Sequence, residues 1–481
     1  MERIDHSYRD YPGYGAEKWR EIVWHLYGQK LAIVNLLGDR ERERQLLQGM
    51  EILVQGFPGP NGRIELLMME IRHLTDLGDL NLAEERIGRL FSLLDGNQSR
   101  ETVRQACEWR ALVAREKTLT KEALNYYLEA ERYADNELSL AGIWLDKGLA
   151  LAYDNQLQEA EKLLREASRI YLHYNSTDML GDACNNLGIC LINQERVDDA
   201  LEAYLEAVRC YDRTGYKLGS AIVSGNVSQI HWYRGDYDSA FRAAEKCRKL
   251  GTEAEDQISI ALSHEMQGRL LFDLGSYARS FDSHSETIRL VEEVGDRVVA
   301  TLNRLYQAQC CSRQGDYSGA ESLLEQCRAA GREMEDSEVE RRLVIAQADV
   351  WSLSRQPEEA LDLIDRILRE SEETVRRHDR SRLLYLRARL LYRTGKEGPA
   401  ADSFRKLQES LSGAECQSFL ACVYALGCTI SGGQRGRTEA EEHFGLGRQI
   451  LDRICLKISD PELRRSFASR PEFKPLGPLA G

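Results

Sequence analysis

The residues most suggestive of chemistry in this sequence are seven arginines packed into eighteen positions: Arg376, Arg377, Arg380, Arg382, Arg387, Arg389 and Arg393. A guanidinium offers a planar fork of donors that matches a carboxylate or phosphate two bonds at a time. Glu372, Glu373 and Asp379 lie close enough in sequence to neutralise part of the cluster. Arg382, Arg389 and Arg393 instead share one face of a helix, spaced seven and four apart, and are placed to meet an acidic partner.

Other candidate groups resolve into ordinary structure. His231, His264 and His284 have no i,i+4 or HExxH spacing and no completing cysteine or carboxylate, so they read as inter-helix histidines, and no metal is expected. Cys310-Cys311 and the Cys184/Cys190 pair read as small buried hydrophobes. Ser431-Gly432-Gly433-Gln434 matches the signature loop of ABC ATPases, but that loop needs a GxxxxGK cradle opposite it, and none occurs. The four residues fall where a repeat turn is due. With no Ser/His/Asp set, nucleophile elbow or dinucleotide fingerprint either, no enzyme and no cofactor are expected.

The elements that must position the arginines follow a forty-residue ruler. Ala160, Ala200, Ala240, Ser280, Ala320, Ala360, Ala400 and Ala440 fall at strict intervals, and Ala83 and Ala123 extend the series upstream. Twelve residues before most anchors stands a second small residue: Ala111, Gly148, Gly188, Ser228, Gly268, Ala308, Ala348, Ala388 and Cys428, with Ile71 the exception. Paired small residues let antiparallel helices approach closely. Between the two small sites Gly78-Asp79, Gly235-Asp236, Gly275-Ser276 and Gly315-Asp316 supply a left-handed stop and a cap for the next helix.

The composition agrees. Among 481 residues only nine are proline, and four of these crowd into the last 21. Charged residues (30%) and hydrophobic ones (42%) are spread evenly, which suits helix after helix. A net charge of −14 opposes nucleic acid and anionic membranes, so neither is an expected partner. No leader-like N-terminal run or 18-residue apolar stretch occurs, and twelve cysteines without a CxxC pair suit a reducing cytoplasm.

Asn186-Leu187-Gly188 followed by Ala200, Tyr204 and Ala207 reproduces the small–small–aromatic–Ala spacing of the tetratricopeptide repeat (TPR) family. The period of 40 resembles its longer-helix variety, found in kinesin light chains, LGN adaptors and MalT-like regulators. The resemblance implies an all-α fold, a right-handed α-solenoid of about eleven TPR-like helix pairs with a short C-terminal capping helix. Its expected parts are an N-terminal helical cap with an atypical first pair at 1–56, the array at 63–456, and a capping helix with a proline-containing tail at 457–481. Repeats in such an array are expected to touch only their neighbours.

The family's geometry places a partner-binding groove on the first helix of each pair. It implies Tyr153, Asn185, Asn186, Asn193, Asn226, Gln229, Trp232, Tyr233, Arg269, Arg313, Arg382, Tyr385, Arg389 and Arg393, with Glu265, Asp273, Gln309, Arg342, Asp349 and Tyr392 among them. Amides suit a peptide backbone, aromatic rings supply contact area, and arginines take carboxylates. The expected function is a protein–protein interaction scaffold or sensor arm that binds a protein or peptide, with acidic residues in the ligand. A small-molecule sensor of the MalT-like type is the alternative.

Overall fold

In the computed structural model the described residues are 16–36, 40–57, 59–94, 96, 98–117, 119–334, 336–354, 356–370, 377–411, 415–432 and 437–477. Glu372, Glu373, Arg376, Gly433 and Gln434, singled out above, lie outside them, as do the side chains of Arg377 and His378. Twenty-two helices form eleven consecutive pairs: α1 Ala16–Leu36 with α2 Arg40–Val54, α3 Asn61–Asp76 with α4 Leu80–Ser92, α5 Arg100–Glu116 with α6 Thr120–Glu131, α7 Glu137–Tyr153 with α8 Leu157–His173, α9 Thr177–Asn193 with α10 Val197–Thr214, and α11 Lys217–Tyr233 with α12 Tyr237–Glu253. Then come α13 Gln257–Asp273 with α14 Tyr277–Glu293, α15 Arg297–Arg313 with α16 Tyr317–Met334, α17 Ser337–Leu353 with α18 Pro357–Glu370, α19 Arg377–Arg393 with α20 Glu397–Ser410, and α21 Gln417–Ser431 with α22 Arg437–Cys455. A short helix α23, Pro461–Ala468, and a 3-10 helix, Pro471–Leu476, complete the described chain, and no strand occurs among the described residues. The fold is an all-α solenoid of TPR-like pairs.

The ruler holds in three dimensions. Every small anchor from Ala83 to Ala400 is fully buried, and only Ala440 is half-buried. Where serine stands at one of the small sites its hydroxyl is satisfied across the pair: Ser228 Oγ donates to Ala240 O and Ser280 Oγ to Gly268 O, both at 2.8 Å. The glycine positions are filled from across the pair. A Cβ on Gly188 would overlap the Tyr204 ring, and one on Gly268 would stand 2.7 Å from the His284 ring. At the intra-pair turns Gly78 and Gly315 take φ of 75° and 85°, and the following aspartates accept from Leu82 N and Gly319 N. Close approach and turn chemistry together fix the pair geometry.

Two compact units divide the chain. The first is Met1–Gln194 with Asp198–Tyr216 and Ala254–Asp256; the second is Glu195–Val197 with Lys217–Glu253 and Gln257–Gly481. The first unit packs in local layers, one around Trp24, Met50 and Val54, a second around Ile71, Ala83 and Leu90, a third around Tyr127 and Ile143.

Inside the second unit the neighbours-only expectation fails. A single apolar core joins Trp232, Tyr237 and Leu270 to Ala421, Ile454, Phe467, Phe473 and Leu476. Asp238 N donates to Lys457 O, and the Asp238 carboxylate accepts from Ser459 N at 3.0 Å, 221 residues away in sequence. Gly235 leaves room for this: a Cβ there would lie 2.7 Å from Ile454 Cγ1. The physical reason is apolar surface. The tail carries Leu463, Phe467, Phe473 and Leu476, all buried at 5% exposure or less, which a polar end cap would not need. The short helix therefore does not merely cap the last repeat; with the 3-10 helix it docks against α12 and α13, which belong to successive pairs.

Gly188→Ala is expected to overpack the α9–α10 pair and cost about 1–3 kcal/mol, read by urea unfolding. Hydrogen exchange should rise in α9 and α10; wild-type stability would show that the Tyr204 contact is slack.

Candidate functional site

Five first helices of the second unit, α11, α13, α15, α17 and α19, present side chains toward one cavity, and α21 with the 3-10 helix supplies its far wall. The cavity measures about 130 Å³ and opens to solvent. Trp232, Phe272, Tyr306, Tyr385 and Phe419 give it apolar walls; five arginines, Arg269, Arg313, Arg382, Arg389 and Arg470, face three carboxylates, Asp273, Asp349 and Glu472.

The three carboxylates are already engaged. Asp273 is the most heavily bonded: its Oδ2 accepts from Trp232 Nε1 at 2.9 Å, from Ser418 Oγ at 2.6 Å and from the Tyr237 hydroxyl, while Oδ1 and the main-chain oxygen accept from Arg470 Nη1 at 2.9 and 2.7 Å. Asp349 accepts from Arg313 Nη2 at 3.1 Å and Gln309 Nε2 at 3.2 Å. Glu472 lies 3.6 Å from Arg470 Nε. Burial alone would raise the Glu472 pKa, yet Arg470, Arg313, its backbone hydrogen bond and Arg389 hold it down to about 2.

The arginines are not fully used. Arg269 pairs through Nη2 with Glu265 at 2.9 Å, and its guanidinium stands over the Tyr306 ring. Arg389 Nη2 donates to Ser352 Oγ at 2.8 Å, and Arg382 stands over Phe419. Among the described residues neither Arg382 nor Arg389 has a carboxylate at ion-pair distance. The Nε atoms of Arg269, Arg382 and Arg389 and Nη1 of Arg313 are buried with no acceptor. An unsatisfied buried donor costs about 1–3 kcal/mol, more when charged, so these atoms ask for an anion or for water. The positive field registers on Tyr306: burial pushes its phenol pKa up, but Arg269, Arg342 and Arg382 outweigh that and lower it.

Beneath Tyr306 lies His284, its ring stacked at 4.8 Å and 4°. His284 Nδ1 is 2.7 Å from Asn303 Oδ1, and since Asn303 Nδ2 donates to Val299 O, the imidazole carries its proton on Nδ1. Burial holds its pKa down to about 4 against the helping hydrogen bond. This histidine is a platform for Tyr306. Among the described residues no group of three His, Cys, Asp or Glu side chains could hold a metal ion.

Of the fourteen groove residues read from the sequence, six line this cavity: Trp232, Arg269, Arg313, Arg382, Tyr385 and Arg389. Arg393 instead donates from Nη1 to Ser352 O at 2.8 Å, tying α19 to α17. Tyr233 is half-buried beside Trp232, ring centroids 5.4 Å apart, and Asn226 and Gln229 are half-buried on α11. The other four belong to the first unit. Tyr153 is 60% exposed at the end of α7, Asn185 donates to Asn186 Oδ1, and Asn193 Nδ2 donates to Ala152 O. The wall residues Ser418, Phe419, Arg470 and Glu472 were missed, because a forty-residue ruler says nothing about a segment beyond its last mark. The signal available was Phe467, Phe473 and Leu476, apolar residues spaced along a tail otherwise read as polar.

The tetratricopeptide repeat family model matches residues 181–253. No curated protein sequence matches the chain. Among solved structures, a Rap protein complexed with competence and sporulation factor is similar at a TM-score of 0.52 and 14% identity, over 80% of this chain and 97% of that one. NprR in complex with its cognate peptide NprX follows at 0.44 and 12%, over 79% and 97%. A signal-transduction ATPase with a tetratricopeptide repeat sensor from Pyrococcus horikoshii stands at 0.46 and 14%, over 69% and 53%. The match covers 181–253 alone, and the structural likeness to the Rap protein shows a shared fold. No helix among the described residues is long and apolar enough to cross a membrane.

The depressed His284 pKa has a defined pH signature. Between about pH 4 and 6.5 the unfolded chain binds a proton that the folded one refuses, so stability falls as pH drops through that window. About 2 kcal/mol should be lost at this site between pH 7.5 and 5. The wild-type curve minus that of His284→Gln, from urea unfolding at both pH values, should show it; parallel curves would mean His284 titrates normally.

Proposed function

We propose that this chain is a cytoplasmic sensor arm or scaffold that binds a protein or peptide, and that the inner surface of its second unit takes acidic residues of that ligand. One observation carries the reading: Arg382 and Arg389 hold buried N–H groups that nothing among the described residues accepts. Folding a chain around uncompensated guanidinium donors costs stability, which a ligand supplying the missing acceptors returns. Trp232 and Tyr385, large rings with few rotamers to lose, suit the flanking contacts. The half-buried amides Asn226 and Gln229 lie on α11, the helix that also carries Trp232, where a peptide backbone could meet them. The Rap protein of similar fold was crystallised with competence and sporulation factor, which fits a binding role. No catalytic role is proposed, since no nucleophile–base pair stands in the cavity; the Cys416 and Cys422 thiols there are pushed up by burial to about 11 and 12.

Affinity capture with the wild-type chain and with an Arg382→Ala/Arg389→Ala variant, compared by quantitative mass spectrometry, tests this. Partners held by the inner surface should drop out of the variant sample. For an identified partner, Arg389→Ala should cost about 1.5–3 kcal/mol and flatten the salt dependence of binding. Partners retained equally by both chains would move binding off this surface.

A further inference from the structure

The cavity has two positive poles, each with buried guanidinium N–H groups that lack an acceptor, and the C-terminal tail sets a carboxylate at only one of them. Around the first, Arg313, Arg389 and Arg470 face Glu472, a carboxylate delivered by the C-terminal 3-10 helix. That pole shows what chemistry the cavity accepts: a carboxylate, only 12% exposed, remains ionised there. At the second, Arg269 and Arg342 stand over the Tyr306 ring at 5.4 and 5.9 Å, and Arg382 lines the same cavity. Arg342 Nη2 donates to the Tyr306 hydroxyl at 3.0 Å, so the phenol oxygen serves as acceptor and keeps its own proton to give. No acceptor for this proton is found among the described residues. Arg269 Nε and Arg382 Nε are buried without acceptors as well. Three donors are therefore left over at this pole, and a carboxylate near it, Glu265, is bonded to Arg269 Nη2 at 2.9 Å.

Size and lining narrow the guest. An apolar cavity of about 150 Å³ holds one benzene. About 130 Å³ therefore suits a ring or a branched chain of similar bulk, and too little space remains for a folded element of a partner. The walls beside the pole are the Phe419 ring, 5.5 Å from that of Tyr385, and the indole of Trp232. Five arginines against three carboxylates leave the lining with a positive excess that one added carboxylate reduces.

We propose that the Arg269–Tyr306–Arg382 pole binds one compact carboxylic acid, its oxygens on the two Nε–H groups and the phenol O–H, its apolar body against Phe419 and Tyr385. The acid is either a free aromatic or branched-chain acid or the acidic side chain of a peptide. The inference rests on the reading of this inner surface as a ligand site and adds the group that occupies it. Glu472 stays on its own pole and sets the limit on charge: one carboxylate enters without displacing the tail.

Calorimetric titration of the full chain with three probes tests the assignment: phenylacetate, its neutral analogue phenylacetamide, and a tetrapeptide carrying one glutamate and blocked at both ends. Phenylacetate should bind, and the amide should bind at least about tenfold more weakly, because it presents an NH₂ to donors. Arg382→Ala and Tyr306→Phe should each weaken phenylacetate by about tenfold while circular dichroism and thermal unfolding stay as in the wild type. Should either variant unfold early, Arg382→Lys keeps the charge, loses the planar fork, and serves in its place. Binding of phenylacetate alone assigns a free acid; equal or tighter binding of the tetrapeptide assigns a side chain. Equal affinity for acid and amide, indifference to Arg382 and Tyr306, or no binding by phenylacetate at millimolar concentration overturns the proposal. If any of these occurs while captured partners still depend on Arg382 and Arg389, the inner surface remains a binding site and only the acid pole is wrong; if partners are also indifferent, both readings fall.

Discussion

One carboxylate organises the second unit. Asp273 ends α13, and its two oxygens collect an indole N–H, a phenol, a serine hydroxyl and a guanidinium from α11, α12, α21 and the tail. A carboxylate has about four lone-pair sites, and here they are shared among donors that local repeat packing would never bring together. Without that convergence the far wall of the cavity has no fixed distance from the near one, and the arginines of α13 and α19 face open solvent, where guanidinium contacts are worth little. Enclosure is what makes their unsatisfied donors costly, and hence consequential.

The fold was legible because small residues leave a mark that does not depend on the partner. Ala160, Ala200 and Ala240 must be small for the same reason in every repeat, so the constraint surfaces as a period. The inner surface was legible in part. Arg269, Arg313, Arg382 and Arg389 sit at register positions that any pair of this type turns inward, and the cavity contains them. Arg393 shares that face yet is consumed by Ser352 O, because one further helical turn carries it from the cavity to the neighbouring repeat. Whether an inward-facing arginine meets a ligand or a carbonyl depends on distances of a few ångströms, which spacing alone does not encode.

The closure was illegible for a different reason. Contacts between residues 238 and 459, or 273 and 470, obey no period, since each is made once. Their residue types are also unremarkable: a Gly-Asp turn at 235–236 looks like those at 78–79 and 315–316, although at Gly235 a distant segment presses close and at Gly78 and Gly315 nothing does. The same turn solves two problems, ending a helix and admitting Ile454, and a sequence displays only the first. Phe467 and Phe473 gave the sole outward sign, as two aromatic side chains in a segment with no second helix to bury them.

That one-off closure reaches into how the protein is made. Repeat arrays ordinarily assemble from contacts a few dozen residues apart, and low contact order keeps folding fast. Here the apolar side chains of α11–α13 complete their core with residues emerging some two hundred positions later. At a synthesis rate of roughly 5–20 residues per second that interval lasts on the order of 10–40 s. Throughout it a nascent chain holds Trp232, Tyr237 and Leu270 without their final cover, a surface that invites chaperones or a second nascent chain. The turn Pro471–Leu476 thus decides when the second unit stops being sticky, and it is made some two hundred residues after α13.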